Sequence, residues 1–198
     1  MEPVTLTTER LLLRRLEPQD LDAVVAACQD PEIPRWTSVP SPYTREHGEH
    51  FINEVSAGGW RDDTMYNFGV FTRESGALVS SMGLLRLQQL GHPQRQAELG
   101  YWTAREQRGR GYTTEAARAV CVWGFESLGV DRLEWYAEAG NEGSRAVALK
   151  LGFVMEGVLR SKVVHAGTRR DAWVGSLLPS DWGREPVQPY LPYPSQPS

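Results

Sequence analysis

Apolar positions alternate in some parts of the chain and recur at helical spacing in others, which predicts a domain built from both strands and helices. Short apolar runs predict seven strands, at residues 10–16, 66–73, 77–90, 96–104, 132–139, 153–165 and 169–178. Apolar residues three or four apart predict four helices, one beginning near residue 18, two at about 44–57 and 114–128, and one ending at 152. The order of these elements indicates one mixed α/β domain.

Prolines mark two segments that this pattern leaves without regular structure. Residues 31–43 contain four prolines, so we expect an irregular segment that runs over the surface. Residues 183–198 contain five more. We therefore expect the folded domain to span residues 1–182 and the proline-rich tail to be extended or weakly ordered.

Composition and charge argue against several classes of protein. The chain has 21 Lys and Arg against 25 Asp and Glu, which disfavours a protein that mainly coats nucleic acid. Its apolar runs are shorter than the roughly 20 residues that span a bilayer, and its acidic, polar amino terminus is unlike a secretory signal. Cys28 and Cys121 lie far apart, which suits a reducing compartment. We expect a cytoplasmic protein that binds neither membrane nor nucleic acid.

A glycine-rich turn, QRGRGYTTEAAR at residues 107–118, lies between a predicted strand and a predicted helix. Backbone N–H groups at a helix start attract phosphate, and glycine lets a ligand approach the backbone closely. Gly109 and Gly111 therefore predict a phosphate-binding loop, to which Arg108 and Arg110 add positive charge. A tight turn without a ligand and an RNA-binding arginine–glycine element are the other interpretations. The spacing matches neither the dinucleotide loop nor the P-loop of nucleotide hydrolases.

A second motif, NEGSRAVALKLGF at residues 141–153, follows about thirty residues after the first. Asn141 is a favourable helix cap and Gly152 a natural helix stop, so this segment alone predicts only a short capped helix. At this separation the two motifs resemble the GNAT superfamily of acyl-CoA-dependent N-acetyltransferases. The first motif matches the family's Q/R-x-x-G-x-G/A coenzyme loop. The second matches its later segment through Asn141, Ser144, Lys150, Gly152 and Phe153.

Further segments resemble the RimJ/RimL branch of that superfamily, whose named members acetylate amino termini of ribosomal proteins. They are AELGYW at 97–102, EGVLR at 156–160 and the opening TERLLLRRLEPQDLDAV. The resemblance covers about residues 7–182. It implies the GNAT fold, which is a central twisted, mostly antiparallel sheet of about seven strands flanked by four helices. A splayed parallel pair of strands is implied at 97–104 and 132–139.

The resemblance also implies acetyl-CoA as co-substrate and a set of residues that bind it. Backbone groups of Tyr101, Trp102 and Thr103 would hold the pantetheine arm like an added strand. The other coenzyme-binding residues would be Arg108, Gly109, Arg110, Gly111, Tyr112, Thr113, Thr114, Asn141, Ser144 and Lys150.

Two positions depart from the family pattern. Thr113 stands where the loop expects glycine or alanine, so its side chain must point away from the pyrophosphate or hydrogen-bond to it. Ala148 stands where many members have a tyrosine that protonates the departing thiolate. Ser144 is the candidate for that catalytic role, because the RimJ/RimL branch also has a serine there. The alternatives are water as the acid and a purely structural serine in the first turn of the helix.

Glu98, on the strand before the loop, is the candidate catalytic base that takes a proton from the amine, directly or through water. A structural ion pair is the equally open interpretation of this residue. An α-amine with a pKa of about 7.7–8.0 is roughly one third neutral at pH 7.5, whereas a lysine near 10.4 is only about 0.1% neutral. A base therefore matters far less for an α-amine than for a lysine.

Histidines and cysteines carry weaker hypotheses. The four histidines lack the spacing of a metal site, so no metal is expected. They are His47, His50, His92 and His165. Cys121 lies among apolar helix positions and is interpreted as an inert core thiol.

The leading hypothesis is an enzyme that transfers an acetyl group from acetyl-CoA directly to a primary amine, with the α-amine of a protein or peptide amino terminus preferred. The alternatives are acetylation of a small-molecule amine, such as an antibiotic or aminoacyl compound, and a non-catalytic acyl-CoA-binding module. Trp36 and Trp60 are candidates to line the acceptor cleft, whose shape depends on loops at 31–43, 58–65 and 88–96. A homodimer stays open.

Overall fold

The computed structural model describes residues 1–91, 93–165 and 167–192. His92, one of the histidines considered for a metal, and residues 193–198 of the expected tail lie outside these ranges. The described tail residues, 183–192, contain no helix or strand, and the backbone amides of Val187 and Gln188 donate to the Asp131 carboxylate. An extended tail beyond the domain stays a prediction.

One mixed sheet of eight strands forms the centre of the molecule, in the order β1-β2-β3-β4-β5-β6-β8-β7. The strands are β1 (Leu6–Thr7), β2 (Leu11–Arg14), β3 (Tyr66–Thr72), β4 (Leu78–Leu85), β5 (Gln96–Thr103), β6 (Arg132–Glu138), β7 (Val154–His165) and β8 (Thr168–Leu177). Neighbouring strands are antiparallel except for the parallel pair β5 and β6. The predicted mixed α/β fold is confirmed, and the two-residue β1 is the strand beyond the seven predicted.

Five helical segments flank the sheet in the described part of the chain, one more than predicted. They are α1 (Leu21–Ala27), α2 (Glu32–Trp36), a continuous run of α3 (Arg45–His50), a π-helical segment (Phe51–Ser56) and α4 (Ala57–Arg61), then α5 (Tyr112–Ser127) and α6 (Glu142–Leu151). None of these helices is long and apolar enough to cross a membrane.

The additional helix, α2, corrects the first part of the irregular segment predicted at residues 31–43, whereas residues 37–43 contain no helix or strand, as predicted. Pro31 is the N-cap of α2, and Pro34 lies in its first turn. The N–H groups of a first turn lack intrahelical acceptors in any case, so proline removes no hydrogen bond there. The prolines therefore start this helix and do not prevent it. The predicted strand at 77–90 is also too long, because Arg86 turns into a left-handed conformation with φ of 58°.

Two hydrophobic clusters cover the two faces of the sheet. The larger lies with α5 and α6 and includes Leu133 and Trp135, each at most 1% exposed. The smaller lies with α1 and α2 and includes Val24 and Ile33. Burying one such aliphatic side chain fully stabilises the fold by about 1.5–3 kcal/mol. The sheet is therefore a middle layer between two helical layers.

Successive residues of β5 point to these two faces in turn, as in any strand. Tyr101 packs against the larger cluster, and Trp102 packs against the smaller one. Glu98, an even number of residues from Trp102, therefore shares the face of α2. The side chain of Tyr101 lies on the opposite face, with α5 and α6.

Candidate active site

The two parallel strands separate soon after they pair, which opens a cleft in the sheet. Residues Gln96 to Glu98 of β5 are in register with Arg132 to Glu134 of β6. Beyond that point β5 keeps only β4 as a partner, and β6 keeps only β8. The facing edge of β5 borders a cleft of about 530 Å³, which suits an added extended ligand. The implied splayed pair is confirmed.

The glycine-rich loop lies at the end of the cleft where β5 finishes. Gly109 has φ of 75° and Gly111 has φ of 78°, a left-handed conformation that glycine adopts without strain. The backbone itself therefore favours glycine at both positions. A Cβ added at Gly109 would meet no atom within 4 Å, and Gly109 lines the cleft. The loop thus leaves room for a ligand directly against its backbone.

Helix α5 begins at this loop with its first N–H groups uncapped. Gly111 is the N-cap, and no side chain of the described residues caps the helix. The first intrahelical bond runs from the Glu115 N–H to the Gly111 carbonyl, at 3.1 Å. Open amides and the positive end of a 16-residue helix dipole together favour an anion. The loop therefore fits a diphosphate through its backbone alone.

The arginines of the loop differ in where they lie. The Arg108 guanidinium donates to the Thr103 carbonyl at 3.0 and 3.1 Å and lies 2.5 Å from the Asp30 carboxylate. Arg108 lines the cleft, whereas Arg110 is exposed outside it. The Arg110 carbonyl accepts from Arg10 at 3.2 Å. The side chains of Arg108 and Arg10 thus brace the loop against neighbouring elements.

Thr113 and Glu115 fix the start of α5. The Thr113 hydroxyl lies 2.8 Å from the Thr103 hydroxyl and ties the helix to the end of β5. The Glu115 carboxylate accepts from the Thr8 hydroxyl at 2.5 Å and from the Arg10 side chain at 2.6 Å. Burial alone would raise the pKa of Glu115, but these hydrogen bonds outweigh burial and hold it below its usual range. The end of β5 and the segment from Thr8 to Arg10 therefore both hold the loop in a defined shape.

Four other residues of the expected coenzyme site lie outside the cleft lining. Gly111 is the helix cap behind Gly109, and Tyr112 stacks under Arg10, whose guanidinium carbon lies 4.6 Å from its ring centre. Thr114 is half-buried in the first turn of α5. Lys150 is exposed in the last turn of α6. The backbone of the first three remains close to the loop, whereas Lys150 does not line it.

The second motif forms α6 and directs its first turn at the cleft. Asn141 is the N-cap, and its side-chain oxygen accepts from the Ser144 N–H at 3.1 Å. Gly152 ends the helix in a left-handed conformation with φ of 93°. The predicted capped helix is confirmed. Asn141 and Ser144 both line the cleft.

Ser144 is at the centre of a hydrogen-bonded group on the α6 face. Its hydroxyl accepts from Trp135 Nε1 at 3.0 Å and donates to the Tyr101 hydroxyl at 3.1 Å. The Tyr101 hydroxyl in turn donates to the Ser144 carbonyl at 3.0 Å. Burial raises the pKa of Tyr101 to about 12, so its phenol is protonated at neutral pH. Ala148, one turn further along α6, is buried and has no proton to donate.

Glu98 lies on the other face, at the closed end of the splay. Its carboxylate is 2.8 Å from Arg86 Nε, and its side chain is 16% exposed. Burial raises the pKa of Glu98; Arg86 opposes this rise, and Glu134, in register across β6, adds to it. Glu98 therefore has an ion-pair partner and is also a stronger base than an ordinary carboxylate.

Helix α2 forms a wall of the cleft on the face of Glu98. Trp36 of this helix lines the cleft. Arg35 donates to the Glu138 carboxylate at 3.0 Å, and Glu138 is 6% exposed at the end of β6. The two ring nitrogens of His165 lie 3.3 Å from Glu138 and 2.9 Å from a carbonyl of α2. The wall is thereby held to the end of the sheet.

Of the two tryptophans expected near an acceptor, only Trp36 lines the cleft. Trp60 is 1% exposed, and its ring centre lies 4.7 Å from Tyr66, 5.2 Å from Phe68 and 6.0 Å from Trp123. The prediction for Trp60 is wrong because this side chain completes an aromatic cluster in the core.

Cys121 is buried, and burial raises the pKa of its thiol, as expected of a core cysteine. Within residues 1–91, 93–165 and 167–192, no group of three or more His, Cys, Asp or Glu side chains could hold a metal ion.

Several residues of the cleft were not singled out from the sequence. They include Trp135 and Tyr136 of β6, and the side chain of Tyr101. Their strands were predicted, but alternation along a strand only divides residues between two faces, and here both faces border the cleft. Glu138 was likewise missed because its partners, Arg35 and His165, are distant in sequence. The adjacent aromatic residues Trp135 and Tyr136, on a strand of the expected splayed pair, were the sequence feature that could have indicated cleft residues.

Comparisons with known proteins agree with this geometry. Residues 10–154 match the family model described as an acetyltransferase (GNAT) domain. YdaF of Bacillus subtilis, provisionally named a ribosomal N-acetyltransferase, is 31% identical over 182 residues, covering 89% of this chain and 96% of that protein.

Solved structures have the same fold. A protein of Vibrio cholerae, provisionally described as a ribosomal-protein-serine acetyltransferase, has a TM-score of 0.77 at 28% identity, over 89% of this chain and 98% of that one. RimL, a ribosomal L7/L12 α-N-protein acetyltransferase solved with coenzyme A, has a TM-score of 0.78 at 14% identity, over 88% of this chain and 98% of that one. The chain belongs to the GNAT family of N-acetyltransferases, and its ribosomal-protein acetyltransferase relatives support the RimJ/RimL-like branch.

Proposed function

We propose that this N-acetyltransferase uses acetyl-CoA and acetylates the α-amine of a protein or peptide amino terminus, in the cytoplasm. The observation that carries the proposal is the cleft between β5 and β6, which is lined by residues from both faces of the sheet. The uncapped loop lies at one end of it, Ser144 lines it from α6, and Glu98 lines it from the face of α2.

The coenzyme is assigned to the loop and to the open edge of β5. Backbone amides from Gly109 to Thr114 would hold the diphosphate, and the backbone of Tyr101 to Thr103 would hold the pantetheine arm. The open space against Gly109 and the uncapped start of α5 fit this group. When bound, acetyl-CoA supplies an activated acetyl group and a thiol leaving group. RimL, which has the same fold, was solved with coenzyme A, and this supports coenzyme A as the ligand.

Proton transfers are assigned to two residues on opposite faces of the sheet. Glu98 would take a proton from the amine, and its raised pKa brings its basicity closer to that task. Ser144 would donate a proton on the α6 side, since this residue lines the cleft and its hydroxyl belongs to a hydrogen-bonded group. An amine on the α2 side and a thioester on the α6 side would meet in the opening between the strands.

The acceptor class follows from the strength of the available base. A carboxylate is a weak base for a lysine with a pKa near 10.4, but it is sufficient for an α-amine that is already roughly one third neutral at pH 7.5. The names of the ribosomal-protein acetyltransferases among the relatives support the same class.

An acceptor panel in a thiol-release assay tests the proposal. The panel contains a peptide with a free amino terminus, the same peptide blocked at its amino terminus but carrying an internal lysine, a polyamine and an aminoacyl compound. The free peptide should be the best substrate and the blocked one should be inactive. Preference for the polyamine or the aminoacyl compound would mean that the natural acceptor is a small-molecule amine and not a peptide amino terminus. Coenzyme binding without release of free coenzyme A in the presence of any acceptor would favour a binding module.

A further inference from the structure

The hydroxyls of Ser144 and Tyr101 form a closed hydrogen-bonded group with Trp135. Trp135 Nε1 donates to Ser144 Oγ at 3.0 Å, Ser144 Oγ donates to the Tyr101 hydroxyl at 3.1 Å, and the Tyr101 hydroxyl donates to the Ser144 carbonyl at 3.0 Å. All three protons therefore have acceptors within the group. In this arrangement the Ser144 proton points to Tyr101 and is not available to a ligand in the cleft.

One rotation of the phenolic O–H changes that arrangement. A hydroxyl donates once and accepts twice. If the Tyr101 proton turns from the Ser144 carbonyl to Ser144 Oγ, the serine oxygen accepts from both Tyr101 and Trp135. The serine proton then has no acceptor left within the group and turns to the cleft. The two acceptors for Tyr101 belong to the same serine, so the switch needs no movement of the backbone.

We propose that Tyr101 is a positioning residue that releases the Ser144 proton toward the cleft and replaces it. This inference rests on the proposed role of Ser144. As the carbon–sulfur bond breaks, its electron pair goes to sulfur, and Ser144 gives its proton to that sulfur. Tyr101 gives its phenolic proton to Ser144 Oγ. The phenolate then takes a proton from bulk water, which restores the starting arrangement.

Acidity is the reason that a serine needs such a partner. A thiol has a pKa of about 8.5, whereas water and aliphatic hydroxyls are far weaker acids. Without a second donor, Ser144 would be left as an alkoxide in a largely buried site. A phenol is a far stronger acid than an alcohol, and burial raises the pKa of Tyr101 only to about 12. Tyr101 therefore lowers the cost of the transfer while staying protonated in the resting enzyme.

The position of the Tyr101 phenol explains how a proton donor is available although α6 has alanine at position 148, where many family members have a tyrosine. Ala148 is 1% exposed, and its methyl group has no proton to donate. Tyr101 comes from β5, and its hydroxyl reaches the first turn of α6. Among the described residues, it is the phenol that bonds Ser144.

The test compares Tyr101→Phe with Ser144→Ala and with a control, Tyr43→Phe. Tyr43 is also a buried phenol with a pKa raised to about 12, but it lies outside the cleft lining. Because acid–base catalysis contributes about 10²–10⁴-fold, kcat should fall at least about 10-fold in Tyr101→Phe, toward the value of Ser144→Ala. The KM for acetyl-CoA and the Kd for coenzyme A should stay within about 2-fold of wild type, and Tyr43→Phe should be unchanged.

Two further measurements separate a proton relay from a structural tyrosine. Removing the Tyr101 hydroxyl in the Ser144→Ala background should cost no additional kcat, because the two groups act in one chain. Ultraviolet titration of enzyme-bound coenzyme A, without turnover, should show that thiolate forms at lower pH in wild type than in either variant. A chain of two donors strengthens the hydrogen bond from Ser144 to the thiolate, which explains this direction.

Each outcome decides between the assignments. Equal kcat in Tyr101→Phe and Tyr43→Phe, or an unshifted thiolate titration in Tyr101→Phe, would overturn the relay. Weaker coenzyme binding with unchanged kcat would make Tyr101 a structural residue and would also overturn it. An unchanged kcat in Ser144→Ala would remove the proposed role of Ser144 and the relay together, while the acceptor proposal would stand. Loss of kcat in Ser144→Ala alone would remove only the relay.

Discussion

Replacing Gly109 by alanine tests the phosphate loop with a change of one methyl group. Gly109 has φ of 75°, and the added Cβ would meet no atom within 4 Å. A left-handed backbone costs a non-glycine residue about 1–2 kcal/mol, and the reduced freedom of the unfolded chain returns about 0.4–1 kcal/mol. The free energy of unfolding should therefore fall by about 1 kcal/mol. For a chain of this size, that lowers Tm by about 2–4 °C.

Gly76 provides a matched control for that stability effect. It has φ of 69°, and a Cβ added there would likewise meet no atom within 4 Å. It lies in the turn between β3 and β4, outside the cleft lining. Gly76→Ala should therefore lose as much stability as Gly109→Ala.

Coenzyme affinity should separate the two variants. The methyl group at Gly109 would project into the space assigned to the diphosphate, and a lost hydrogen bond to a charged group costs about 1.5–3 kcal/mol. The Kd for coenzyme A, measured by isothermal titration calorimetry, should rise about 10- to 100-fold in Gly109→Ala and stay unchanged in Gly76→Ala. Equal affinity in both variants, at equal loss of Tm, would refute the assignment of the loop.

Two other substitutions test the face of the cleft opposite Ser144. Glu98→Gln should lower kcat by about 10²-fold if Glu98 is the base, the low end of the range for acid–base catalysis, because an α-amine is already partly neutral. Because the folded-state pKa of Glu98 is raised, its ionised form costs stability at neutral pH, and this cost disappears as pH falls through the folded pKa. In urea unfolding, the Gln variant should therefore be at least as stable as wild type at pH 7 and no more stable than wild type at pH 4. An unchanged kcat would mean that Glu98 is only an ion-pair residue. Glu138→Gln removes the charge that holds Arg35 and His165. In Glu138→Gln, the KM for the acceptor should rise several-fold while the KM for acetyl-CoA stays constant. Equal changes in both KM values would contradict the inference that α2 lines the acceptor side of the cleft.

Local signals explain why the order of elements and the loop could be predicted. Two glycines before a helix, a capping Asn141 and a terminating Gly152 act within a few residues, and the structure has the caps at those positions. The requirement for positive φ at Gly109 and Gly111 is likewise local. The splay of β5 and β6 has no such signal, since it depends on which strands pair, and the family resemblance supplied it.

Long-range contacts explain what the sequence left out. Asp30 holds Arg108 from a segment far earlier in the chain, so the arginine braces the loop as well as lining the cleft. The same is true of Tyr101, whose backbone was expected to bind the coenzyme but whose phenol bonds Ser144. Helix α2 was not predicted because prolines were taken to exclude a helix, although proline is tolerated in the first turn of one. Trp60 was misjudged because only the folded core shows which aromatics it requires.

A crystal structure of the enzyme soaked with coenzyme A would locate the diphosphate itself. We expect the diphosphate within hydrogen-bond distance of backbone amides between Gly109 and Thr114, with the sulfur in the cleft beside Ser144. A second cavity, of about 390 Å³, lies beside Asp131 and the proline-rich residues 186–190 and provides the alternative location. A diphosphate bound there, with no ligand at the loop amides, would show that the glycine-rich loop is not the coenzyme site.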